Sequence, residues 1–134
     1  MTEKHKMIEL YLQFRRELDK ICVPEILKLN QPRLIKENGE VVGLICASPD
    51  YIDCIYILPE HRRKGIAKKT LLAHWEDNKN YDMRLHIINN NGPALKFWKS
   101  IFKLENIGGN EIDTLYRIRD VSRKHNDVEG ETND

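Results

Sequence analysis

The chain has 134 residues, a length that suits one domain able to bury a single core without metal or disulfide staples. Hydrophobic residues make up 40% and charged residues 32%, the balance of a soluble globular protein. A formal net charge of +1 gives no global attraction to nucleic acid or to an anionic membrane surface, so any basic patch must act locally.

Taken in chain order, the N-terminal MTEKHKMIEL lacks the apolar stretch of a signal peptide. No run approaches the ~18 apolar residues of a membrane span, so the expected location is the cytoplasm with no membrane partner. Met7, Tyr11, Phe14, Leu18 and Ile21 recur every three or four residues and predict an amphipathic helix from Glu3 to Cys22. Pro24 suits the first turn of a short second helix through Leu29, closed by Asn30-Gln31-Pro32. Strands are predicted over Arg33 to Lys36 and Val41 to Ala47, with Asn38-Gly39 supplying the positive φ angles of a tight hairpin. Ser48-Pro49-Asp50 turns the chain into a strand over Tyr51 to Leu58, which Pro59 and Glu60 end.

A helix follows from Ile66 to Asp77, with Ile66, Leu71, Leu72 and Trp75 near one face. Then come a strand over Met83 to Ile88, a helix from Pro93 to about Phe102, a turn at Gly108-Gly109-Asn110 and a last strand over Ile112 to Ile118. This order predicts the α/β (α+β) class, with one mixed sheet covered by helices on both faces. The expected organisation is a single domain over residues 1–119 and a polar, disordered tail over 120–134, which has no aromatic residue and no apolar periodicity. Cys22, Cys46 and Cys54 are odd in number, lie in apolar segments and lack metal-type spacing. A disulfide framework and a zinc site are therefore not expected, and the three read as reduced core residues.

The ten residues from His61 to Thr70, HRRKGIAKKT, combine a strand exit, a glycine and a helix start with Arg62, Arg63, Lys64, Lys68 and Lys69. A helix start leaves unpaired N–H groups carrying partial positive charge, and a glycine lets a ligand approach the backbone closely. The pattern suits a phosphate site. It also suits an ordinary solvated helix start, because short glycine motifs arise by chance.

Arg62-x-x-Gly65-x-Ala67 resembles the pyrophosphate motif of the GNAT superfamily of N-acetyltransferases, Q/R-x-x-G-x-G/A. The stretch from Leu85 to Phe102 resembles that family's next strand, asparagine and helix, N-x-x-A-x-x-F-Y-x-x-x-G-F, with Asn91, Ala94 and Phe97 in register. The resemblance covers about Arg33 to Arg119. It implies a GNAT-like three-layer arrangement and acetyl transfer from acetyl-CoA, as cosubstrate, to a primary amine. It further implies that backbone groups of Ile55 and Ile57 pair with the pantetheine arm. The amides from Arg63 through Lys64, Gly65 and Ile66 to Ala67 would hold the pyrophosphate, with Arg62 and Lys68 adding charge. Asn91, Phe97 and Trp98 would also face the cofactor. The plainer readings are core packing for Ile55 and Ile57 and a helix N-cap for Asn91.

An acceptor amine is mostly protonated at neutral pH and must lose a proton before it attacks a thioester. Asp53, expected by alternation on the side of Tyr51, Ile55 and Ile57, and His86 on the neighbouring strand are the candidate bases. A charge pair for Asp53 and a structural role for His86 are their alternatives. Trp98 stands where the family commonly has a tyrosine acid, and an indole N–H has no accessible acid chemistry. Tyr116 or a water is left as the proton donor to the leaving thiolate. Phe102-Lys103 replaces the family's closing Gly-Phe. A catalytically silent acyl-CoA-binding or interaction module is the competing function. The short connection at Cys22-Val23 suggests an open acceptor site, and hence an exposed amine on a peptide or protein before a small molecule. The expected assembly is a monomer or homodimer, and near-neutral composition argues against nucleic acid.

Overall fold

The computed structural model describes residues 2–18 and 30–122. Cys22, the predicted helix from Pro24 to Leu29, and residues 123–134 lie outside the described residues. The chain divides into two compact units between Met83 and Arg84.

The first unit contains α1 (Glu3–Leu18), β1 (Pro32–Glu37), β2 (Glu40–Ser48), β3 (Tyr51–Ile57), a 3-10 turn (Pro59–His61) and α2 (Ile66–Asp77). The β1–β2 hairpin turns where the sequence predicts: Asn38 and Gly39 adopt φ of 53° and 80°, a left-handed pair that matches the twist of the flanking strands. β2 pairs antiparallel with β1 and with β3, setting Ile45 opposite Ile55 and Cys46 opposite Cys54. Period-two alternation sends Leu44, Cys46, Cys54 and Tyr56 to one face of these strands, where they bury Leu10 of α1. Met7, Tyr11 and Phe14 pack around that cluster, so the predicted stripe of α1 does cover the sheet. Complete burial of a leucine such as Leu10 contributes about 1.5–3 kcal/mol.

α2 lies on the other face, beside Ile45. Its bounds are those predicted, but its buried set is Ile66, Leu71, His74 and Trp75, while Leu72 is only half-buried. Nothing in the local sequence marks His74 as an interior residue. Its Nε2–H donates to the Ser48 carbonyl at 2.9 Å, and its Nδ1 accepts from the Arg33 guanidinium at 3.3 Å. Each partner can play only one role, so this tautomer is fixed as neutral. Burial, seconded by the Arg33 charge, holds the imidazole below its ordinary pKa although the Ser48 bond and Asp77 favour the charged form.

The unfolded chain therefore takes up this proton nearer the reference value of about 6.5, and the folded chain only at lower pH. In that window the unfolded state binds more protons, so stability falls as the pH drops through it. His74→Gln retains a donor for Ser48 and should reduce the loss of unfolding free energy between about pH 7.5 and pH 5.5, measured by chemical denaturation. An unchanged loss in the variant would show that other groups govern acid sensitivity.

The second unit contains β4 (Arg84–Ile88), α3 (Gly92–Ile101), β5 (Phe102–Gly109) and β6 (Asp113–Val121), with β6 antiparallel to both β4 and β5. β5 was not predicted. The chain passes from helix to strand at Phe102, with φ −128° and ψ 153°, without the glycine or proline that marks such a change. Lys103, Glu105 and Asn106 also dilute its apolar pattern. β6 runs to Val121, which pairs with Phe102, so Asp120 and Val121 belong to a strand and the expected boundary at residue 119 falls inside it.

Candidate functional site

Between β3 and α2 the chain is tied down by Arg62. Its Nε donates to the Ile57 carbonyl at 2.8 Å, and its Nη2 reaches both oxygens of Glu17 in α1, at 3.2 and 3.1 Å. The guanidinium sits 5.3 Å from the centroid of the Tyr56 ring, and the Tyr56 hydroxyl donates to Glu17 at 2.7 Å. Burial and the Glu17 bond push that phenol up to about 12. One carboxylate thus joins α1, β3 and the basic turn. Sequence reasoning offered Arg62 as a cofactor cation, whereas its side chain is engaged in holding the turn. Glu17 and Tyr56 had no local signal, because their partner lies far away along the chain.

Past Arg62 the backbone turns left-handed twice, at Arg63 (φ 65°) and Gly65 (φ 77°). No side chain caps α2, and Lys69 donates the first ladder bond, to Gly65 O at 3.0 Å. The amides of Ile66, Ala67 and Lys68 are then the helix's leading donors. A Cβ built on Gly65 meets nothing within 4 Å, so the space over this end is open. Arg63 and Lys64 are exposed beside it and Lys68 is half-buried. Lys69 is drawn away to Glu37 at 2.8 Å. The result is a run of leading N–H groups beside two exposed cations, an arrangement that suits an anion.

Asp53 occupies an irregular position in β3. Cys54 faces Cys46 but Ile52 faces Ala47, so Asp53 is the extra residue of a β-bulge. Strict alternation placed Tyr51, Asp53, Ile55 and Ile57 on one side. The bulge breaks that pattern: Ile52, through Ala47, shares the face of Ile55 and Ile57, and Tyr51, opposite Ser48, lies in the other phase. Asp53 is half-buried, and its charge adds a minor part to the upward shifts that burial gives Tyr11 and that the Cys46 bond and burial give Cys54. Ile57 is buried and Ile55 half-buried; both pair with β2, and the Ile57 carbonyl also accepts from Arg62.

In the second unit, His86 is exposed and faces Leu115, while Tyr116 is half-buried and faces Leu85. Neighbouring residues alternate, so His86 and Tyr116 project from opposite faces of the β4–β6 pair. The structure does not bring these two candidates together. Asn91 caps α3, its Oδ1 accepting from the Ala94 amide at 3.2 Å, which is the plainer of the two sequence readings. Phe97, 36% exposed, meets Trp98 edge-on at 5.5 Å, and Trp98 stacks on Phe102 at 6.4 Å.

Residues 4–102 match the acetyltransferase (GNAT) family. The chain belongs to the GNAT acetyltransferase family. No curated protein matches the sequence, but solved structures resemble the fold. PH1933 from Pyrococcus horikoshii OT3 matches with a TM-score of 0.64 at 17% identity, over 89% of this chain and 92% of that one. An N-acetyltransferase from Staphylococcus aureus Mu50 gives 0.52 at 20% identity, over 66% and 69%. A ribosomal-protein-alanine N-acetyltransferase from Brucella melitensis gives 0.52 at 16% identity, over 84% and 77%. The α/β, GNAT-like architecture expected from the sequence is thus the fold of this chain. As a GNAT member it falls in a family whose general reaction is acyl transfer. Among the described residues, no helix is long and apolar enough to cross a membrane.

Proposed function

We propose that the protein is an N-acetyltransferase that moves an acetyl group from acetyl-CoA to a primary amine. The carrying observation is the uncapped N-terminus of α2, entered through left-handed Arg63 and Gly65 after β3 and its 3-10 turn. Amides from Arg63 to Ala67 would hold the pyrophosphate, and Arg63, Lys64 and Lys68 would add charge. Backbone donors suit the task because their positions do not depend on rotamers. Arg62 would act by fixing the turn to Ile57 and Glu17. Ile55 and Ile57 would offer backbone groups to the pantetheine arm, with Asn91, Phe97 and Trp98 as its further contacts.

The acceptor nitrogen must lose a proton, attack the thioester carbonyl and expel the CoA thiolate. Asp53 is the favoured base, because the bulge takes it out of the regular alternation of β3. His86 is the alternative. Tyr116 or a water would protonate the thiolate, whose ordinary pKa of about 8.5 already makes it a tolerable leaving group. Since His86 and Tyr116 occupy opposite faces, one reacting centre uses at most one of them. A peptide or protein amine is the preferred acceptor and the cytoplasm the preferred setting.

Calorimetric titration with acetyl-CoA, with free CoA and ADP as comparisons, tests the binding half. Radiolabelled acetyl transfer to a panel of amines and peptides tests the chemistry. Absence of saturable binding to folded protein would sink the proposal. Tight binding without turnover would favour an acyl-CoA-binding module, a reading supported by Trp98 at the family's usual acid position.

A further inference from the structure

β1 has one neighbour among the described residues, β2, and stands at the end of the strand order. Its five residues from Arg33 to Glu37 line one wall of an open groove of about 340 Å³. The other wall is α2, through residues including Lys69, Ala73, His74 and Asp77. An uncovered strand presents a row of N–H and C=O groups that another strand can pair with. Proteins often blunt such edges with lysine, yet here the Lys36 ammonium reaches Glu3 of α1 at 3.1 Å, away from the α2 face. Pro32 removes a donor only at the strand's first position.

The residues of β1 on the α2 face are Arg33, Ile35 and Glu37: Arg33 bonds His74, and Glu37 pairs with Lys69. Read in either direction about Ile35, this face carries opposite charges at equal distances from an apolar centre. An antiparallel copy of the same strand is therefore its complement. We propose that β1 is a self-association edge, on which two copies pair antiparallel about Ile35 and each Arg33 lies opposite the other's Glu37.

Directly opposed side chains in such a pair stand about 5 Å apart. Two arginine–glutamate pairs would then flank an Ile35–Ile35 contact at the mouth of the groove. Arg33 suits this role because its hydrogen-bond partner, His74, is a neutral imidazole and not a carboxylate. The contact is isologous, so it closes as a dimer. Pairings one residue off would set Arg33 against Lys36 in one direction and against Asn38 in the other, and lose the charge match.

Sedimentation of the full chain at about 100 μM, a concentration suited to a micromolar contact, should show a dimer. Arg33→Glu and Glu37→Arg should each sediment as monomers, since each sets like charges opposite one another. Their equimolar mixture should recover the dimer, because every facing pair is then oppositely charged. Recovery on mixing also shows that both variants are folded. A monomeric wild type, dimers that survive in both single variants, or a mixture that stays monomeric would each overturn the proposal. If the wild type is monomeric and the β1 amide resonances shift on adding the blocked peptide Ac-Val-Lys-Val-Ile-Val-Glu-Val-NH2, the edge serves a foreign strand instead.

Discussion

In a Gly65→Glu variant, acetyl-CoA affinity should fall about 100-fold, equivalent to roughly 2.7 kcal/mol, while Gly65→Ala should cost only a few-fold. Both substitutions carry the same backbone penalty, because φ at this position is +77° and a Cβ is disfavoured there by roughly 1–2 kcal/mol. Neither meets a steric obstacle, since a Cβ finds nothing within 4 Å. The two variants differ in what they place in front of the leading amides of α2. Alanine leaves the positive end of the helix open, whereas glutamate puts a carboxylate where the pyrophosphate would sit and supplies a competing internal anion. Calorimetry on both, with denaturation curves to show equal folding, separates the charge effect from the strain. Equal affinities in the two variants would mean that this turn is not the phosphate site.

The largest stability loss is expected at Gly43. It lies opposite Ile57 in the β2–β3 ladder, and a Cβ there would sit 2.3 Å from the Tyr56 carbonyl oxygen and 3.2 Å from Ile57 Cα. Both obstacles are backbone, so relief requires the strands to separate rather than a side chain to rotate. Gly43→Ala should cost about 3 kcal/mol, the upper end for overpacking, and Gly43→Val more. Against a typical domain stability of about 5–15 kcal/mol, that is a large share, and Tm should fall by about 10 °C. Gly39→Ala is the control: its φ is +80°, but nothing lies within 4 Å, so the only cost is turn strain of about 1 kcal/mol. Similar Tm values for the two alanine variants would show that β2 and β3 yield more easily than their spacing implies.

Much of this architecture is legible because local chemistry and fold agree. Asn38-Gly39 specifies its hairpin by conformational preference alone, and α2 begins after a glycine and ends at the residues predicted. What escaped reading lacks local marks. β5 begins without a turn residue, and polar Lys103, Glu105 and Asn106 interrupt its apolar pattern. His74 looks like a surface histidine on α2, yet the backbone oxygen of Ser48 and the guanidinium of Arg33 make a buried place for it.

The phosphate turn was visible as a motif, but the role of Arg62 was not, because Glu17 and Tyr56 come to it through tertiary packing. The irregularity at Asp53 depends on pairing with β2 and has no signature in YIDCIYIL itself. Alternation arguments fail where a ladder inserts a residue, and here that residue is the proposed base.

Cys46 and Cys54 face each other across β2 and β3, buried and unlinked. The Cys54 thiol is pushed up by donating to Cys46 and by burial, and the same bond lowers the Cys46 thiol; burial withholds both from solvent. A thiol reagent can reach them only when these two strands come apart. In a Cys22→Ser background, the labelling rate relative to denatured protein therefore becomes a clock for the opening of that strand pair. It should run at least ~10³-fold slow if the pair opens with the core. Slowing further with added acetyl-CoA would register the free energy that the ligand adds to the closed state.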